Sequence, residues 1–114
     1  MGLEDDYLVR TIKKLVEAIA RIAGLRKEGA LDEAQAAVED AYRALGVGRA
    51  TVGRLDPASV ALLLGSRDKL AAMVRLVDEE SELARALGDT TRADRLAAKA
   101  RALANALADS SRED

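Results

Sequence analysis

Residues 27–45, KEGALDEAQAAVEDAYRAL, open on a glycine turn and then place small or apolar residues at helical spacing. Ala34, Val38 and Ala41 follow Gly29 at offsets that share one helix face. Residues 88–103, GDTTRADRLAAKARAL, repeat the arrangement: Ala93, Ala97 and Ala100 stand at the same offsets from Gly88, 59 residues after the first set. A glycine ends the preceding helix in the left-handed conformation, and small residues let the next helix approach its neighbour closely. Each stretch therefore predicts the second helix of a helix–turn–helix pair.

The flanking segments supply the partners. Residues 5–24 carry Leu8, Ile12, Leu15, Ile19 and Ile22 at alternating steps of four and three, widened by Val9, Val16 and Ala23. Arg10, Lys13, Lys14, Glu17 and Arg21 fill the rest of the circumference, which predicts an amphipathic helix. Asp5 and Asp6 lie at its start, where free N–H groups favour acids. Either Gly24 or Gly29 ends it, and Leu31 to about Leu45 form the second helix, with Tyr42 between helices and its hydroxyl near the surface. So short a connection predicts an antiparallel pair.

Residues 46–56, GVGRATVGRLD, hold three glycines and are read as a loop. Asp56-Pro57 matches an N-cap followed by proline at the first helical position. A short helix, 57–64, ends at Gly65. A fourth helix runs from Ser66 or Arg67 to Leu87, capped by Ser66 alone. Leu70, Met73, Val74, Val77, Ala84 and Leu87 line one face, and Leu76 and Leu83 a second flank, which predicts more than one neighbour. Thr90 or Thr91 caps the fifth helix, 92–108. The expected fold is all-α: one domain over 1–114, with hairpin 5–45, linker and short helix 46–65, hairpin 66–108 and a fraying tail, 109–114.

Composition narrows the chemistry. Hydrophobic residues form 49% of the chain, yet Phe and Trp are absent, so the core rests on Leu, Ile and Val with Tyr7, Tyr42 and Met73. The chain has no cysteine and no histidine, which excludes disulfides and thiolate ligands and removes the commonest neutral-pH acid–base group. The net charge of −2 is spread as interspersed signs and offers no basic field for nucleic acid. No apolar run approaches the ~20 residues of a membrane span. The acidic start MGLEDDYL does not match a secretion signal, so a cytoplasmic location is expected.

Two resemblances extend this reading. The Gly, Ala, larger residue, Ala pattern resembles the second half of a tetratricopeptide repeat, which implies stacked helical hairpins that bind protein. The first-helix signature departs from that pattern: Ala18, Arg21, Ile22 and Leu25 in one hairpin, and Val77, Glu80, Ser81 and Ala84 in the other, replace the aromatic and Leu-Gly positions. The 59-residue offset also differs from the 34-residue period of such repeats. Residues 5–45 are similar to the start of a family of small uncharacterised bacterial helical proteins, which implies a helical fold and a bacterial source but no activity.

The chemical candidates are few. Asp78, Glu79, Glu80 and Glu82 form the densest acidic cluster. Glu79 and Glu82, three apart, could hold a hard cation, against the simpler reading of a solvated helix face. Glu80 interrupts an apolar flank and must snorkel, pair with an arginine or line a groove. Arg10, Lys13, Lys14 and Arg21 read as a solvated face, because Glu17, Asp5 and Asp6 offset them. Gly46, Gly48 and Gly53 lack the strand and the Gly-Lys-Ser/Thr of a phosphate loop.

These residues point to no catalytic, cofactor or metal set. They point to a non-enzymatic protein–protein interaction or self-association module, expected as a homodimer. Tyr7, Ile12, Leu76, Glu80 and Leu83 are the expected contacts. The alternative is a small ligand-sensing or regulatory bundle, with an apolar pocket between the first and fourth helices.

Overall fold

A computed structural model describes the backbone of residues 3–112 and the side chains of residues 6–109. The described residues form six helices and no strand: α1 (Leu3–Lys27), α2 (Leu31–Leu45), α3 (Arg49–Arg54), α4 (Pro57–Leu64), α5 (Arg67–Ala86) and α6 (Thr90–Arg112). The all-α expectation holds. The count differs from the expected five because α3 occupies the segment read as a loop. Three glycines argue against a helix there on propensity. Burial of Val52 and the ion pairs of Arg49 supply the tertiary support that a helix of this length needs.

The two glycine turns have the same geometry. At the end of α1, Gly29 N–H donates to the Arg26 carbonyl at 3.1 Å and Ala30 N–H to the Leu25 carbonyl at 2.9 Å. At the end of α5, Gly88 N–H donates to Arg85 and Asp89 N–H to Ala84, both at 3.0 Å. This is the paired 5→2 and 6→1 pattern of the Schellman motif, which satisfies carbonyls that the helix end leaves free. Gly29 has φ +80° and Gly88 φ +86°, where a Cβ is strained. The matching offsets in the sequence therefore mark a repeated turn. Gly24 lies inside α1, so Gly29 is the residue that ends this helix.

Other boundaries shift for local reasons. α1 begins at Leu3, ahead of the expected start at Asp5. Asp89 Oδ1 accepts the Arg92 amide at 3.1 Å, so Asp89 caps α6 in place of the expected Thr90 or Thr91. Ser66 Oγ accepts the Lys69 amide at 3.3 Å, the expected single-residue cap of α5. α6 continues to Arg112 through most of the segment expected to fray; residues 113 and 114 lie outside the described residues.

α5 is the hub. It packs against α1, α2, α4 and α6, while α1 also packs on α2, and α4 on α6. That explains its two apolar flanks: Leu70, Met73, Leu76, Val77, Leu83 and Ala84 are all buried. Leu15 and Ile22 from α1, Val38 from α2 and Leu103 from α6 close on the same core. Each fully buried Leu or Ile contributes about 1.5–3 kcal/mol. Ala34, Ala41, Ala93 and Ala100, the small residues of the two repeats, are also buried, while Ala97 is half-buried. Among the described residues no helix is long and apolar enough to cross a membrane.

The glycines give a direct check. Gly29→Ala and Gly88→Ala should each lower stability by about 1–2 kcal/mol in urea unfolding, the cost of the left-handed conformation. Gly24→Ala should raise it by about 0.5–1 kcal/mol, because its Cβ would meet nothing within 4 Å and its backbone is already helical. Stabilisation by Gly29→Ala would contradict the turn assignment.

Candidate functional site

The region with most chemical content is centred on Glu80. Residues 78–82 lie on α5, and the helix sends their side chains in different directions. Asp78 and Glu82 are exposed. Glu79 turns toward α1, where Arg26 Nε donates to its Oε2 at 3.2 Å. Glu80 points inward and is only 2% exposed. The dense acidic cluster of the sequence is thus split by helical geometry, and among the described residues no group of three or more potential ligands is placed to hold a metal ion.

A buried carboxylate is costly unless it is paired and its oxygens are hydrogen-bonded. Glu80 meets both conditions through three other elements. Tyr42 of α2 donates its hydroxyl to Oε1 at 2.7 Å, so this hydroxyl is buried and not near the surface as expected. Arg49 of α3 donates Nε–H to Oε2 at 2.7 Å, and Arg92 of α6 donates Nη2–H to the same oxygen at 2.9 Å. Arg49 also pairs through Nη1 with Glu39 of α2. Beside this network, Ser81 donates its hydroxyl to the Ala93 carbonyl at 2.7 Å, a second buried polar link between α5 and α6.

The electrostatics follow from burial. Tyr42 has its pKa pushed well above the ordinary 10.0, first by desolvation, then by the negative charge of Glu80 and the hydrogen bond to it. Burial works against the charge on Arg49, but the hydrogen bond and charge of Glu80, with Glu39 behind them, outweigh it and raise its pKa. Both groups keep the protons they donate.

Arg49, Glu80, Asp89, Arg92, Arg95 and Lys99 line a cleft of about 400 Å³, completed by Gly53 and Leu96. Lys99 Nζ donates to the Leu55 carbonyl, tying α6 to the segment after α3. The cleft offers charged hydrogen-bond donors with no nucleophile–base pair beside them.

The expected contact residues separate into two groups. Tyr7 is 65% exposed on α1, and Ile12 is partly buried against the core. Leu76, Glu80 and Leu83 are interior: the two leucines fill the core around α5, and Glu80 is enclosed by its three donors. The flank that these three share is covered by other helices of the same chain. Of the options for Glu80, pairing with arginine and lining a groove both occur. The sequence does not reveal the roles of Arg49, Arg92 and Tyr42, since no local spacing joins positions 42, 49, 80 and 92. Leu62 and Leu63 of α4 belong to an apolar run that suggests packing, yet both are exposed.

Glu80→Gln should destabilise the fold by about 2–3 kcal/mol. That is below the ~3–5 of a fully buried pair, because Arg49 and Arg92 keep 33% and 34% of their side-chain surface in solvent. Tyr42 adds a pH test. Its folded pKa is raised, so its contribution is present in full below about pH 10 and is lost as pH rises further, when the unfolded chain releases the proton first. Urea midpoints should fall steeply above about pH 10 in the wild type and less steeply in Tyr42→Phe, which should itself cost about 1–2 kcal/mol at neutral pH. Equal alkaline slopes would contradict the burial of that hydroxyl.

No family model matches the chain, and no curated protein or solved structure matches it.

Proposed function

We propose that this chain is a non-enzymatic protein-interaction module that associates with a second copy of itself through the surface of α4. The observation that carries this reading is Leu62, a large apolar side chain left 83% exposed, with Leu63 beside it at 50%. Leu62 lines a groove of about 580 Å³ together with Ala58, Ala61, Leu70 and Ala106, and with the polar Ser66, Arg67 and Asp109. An apolar ridge on a groove with an apolar floor and charged residues at Arg67 and Asp109 suits a two-fold interface, since each copy supplies both halves of the contact. Isolated exposed leucines are ordinary, but paired ones beside a concave apolar surface favour a partner.

The repeated turns support a further element of the proposal: α1 with α2, and α5 with α6, act as two tetratricopeptide-like hairpins stacked about α5. Tyr7 and Val9, exposed on α1, are further contact candidates. A bacterial, cytoplasmic protein is the setting this proposal assumes.

The groove also favours a second reading, a ligand-sensing bundle, because its volume falls in the range of small-molecule pockets. It lies against α4, α5 and α6, whereas the expected position was between α1 and α5, which pack on each other.

Light scattering over a wide concentration range should give a mass rising from 12.1 kDa toward twice that value. Leu62→Glu with Leu63→Glu should weaken association by about tenfold or more and leave the helical circular dichroism unchanged. Leu83→Ala, by contrast, should act on the fold, with a loss of about 2–5 kcal/mol, because Leu83 is core. A strict monomer, or an unchanged mass in the double variant, would defeat self-association through α4.

A further inference from the structure

We propose that the cleft between α3 and the N-terminal half of α6 binds a small soluble phosphomonoester through Arg92, Arg95 and Lys99. These three cations stand at positions i, i+3 and i+7 of α6 and so share one face of it. The cleft they line, about 400 Å³, also includes Arg49. Four cationic side chains line it with the carboxylates of Glu80 and Asp89, and Glu39, outside the cleft, pairs with Arg49. This local positive surplus stands in a chain whose net charge is −2.

The donors are incompletely used. Arg92 engages Glu80 through Nη2, and the rest of its guanidinium fork remains for a ligand. Arg95 has no ion-pair or hydrogen-bond partner among the described residues. Lys99 Nζ bonds to the Leu55 carbonyl, a neutral acceptor that leaves its charge uncompensated. Like charges at i, i+4, here Arg95 and Lys99, weaken a helix, and a dianion between them removes that repulsion. Guanidinium forks and an ammonium together suit phosphate oxygens.

The remaining walls limit the ligand. No aromatic ring lines the cleft, so a nucleobase would find no stacking surface. Gly53 leaves open space, since a Cβ at that position would meet nothing within 4 Å, and Leu96 offers a small apolar wall for the body of the ester. The reading is independent of self-association through α4, which uses other residues.

Titration of the full chain with glycerol 3-phosphate at fixed ionic strength, followed by calorimetry and amide NMR, tests it. Saturable binding is expected, with shifts confined to α3 and residues 89–99. Arg95→Gln and Lys99→Gln should each weaken it about tenfold, and Lys13→Gln, on α1, should leave it unchanged. Affinity should rise from about pH 5 to about pH 8 as the phosphate loses its second proton, an interval in which no histidine of the chain titrates. Absence of saturable binding, equal affinity in Arg95→Gln, equal affinity for acetate, or binding only to phosphatidic acid vesicles would each overturn the proposal.

Discussion

The carboxylate of Glu80 is the constraint on which the rest of this structure depends. Its position on α5, the helix that packs against four others, leaves it only 2% exposed, at the floor of the cleft it lines. A charge so placed must be neutralised from outside its own helix. Tyr42, Arg49 and Arg92 do this from α2, α3 and α6. Four of the six helices therefore meet at one side chain. An apolar residue of similar volume could give equal or greater stability, but it would not specify which arginines and which tyrosine must come together.

That requirement also explains α3. A six-residue segment preceded by Gly48 and containing Gly53 has little intrinsic tendency to form a helix. Val52 anchors it to the core, and Arg49 bonds both Glu80 and Glu39. The linker is thereby held against α5 and α2, Lys99 ties its end to α6, and Arg49 and Gly53 form one wall of the cationic cleft. Stability and the candidate binding surface thus share residues: Arg49 and Arg92 neutralise the buried carboxylate and line the cleft.

Much of the fold was legible in the sequence. The central apolar stripes of α1 and α5, the Asp56-Pro57 start and Gly65 end of α4, and the matched turns at Gly29 and Gly88 are local signals, each decided within a few residues by periodicity or φ. Val9 and Val16, read as widening the α1 stripe, and Leu87, read as part of the α5 face, are exposed. The apolar double flank of α5 correctly implied several neighbours. What was not legible depended on tertiary contact. α3 draws its support from positions in α2 and α5. Leu76 and Leu83 could be placed on a face, but whether another helix or a partner covers that face is a property of packing. Glu80 stands out because a charge in an apolar stripe needs an explanation; its partners, between 12 and 38 residues away, could not be named. Leu62 and Leu63 look like core in a run of apolar residues, and only the placement of α4 at the rim exposes them.

The most direct test of the central claim is amide hydrogen exchange in the wild type and in Glu80→Gln. The amides of Val52 and Leu55, which bond to the Gly48 and Thr51 carbonyls, report on α3. If Glu80 holds α3 in place, the variant should lose protection at these two amides well before it does so in the core of α1, where Ile19 and Ile22 are buried. Uniform loss across all helices, or unchanged protection in α3, would contradict the claim.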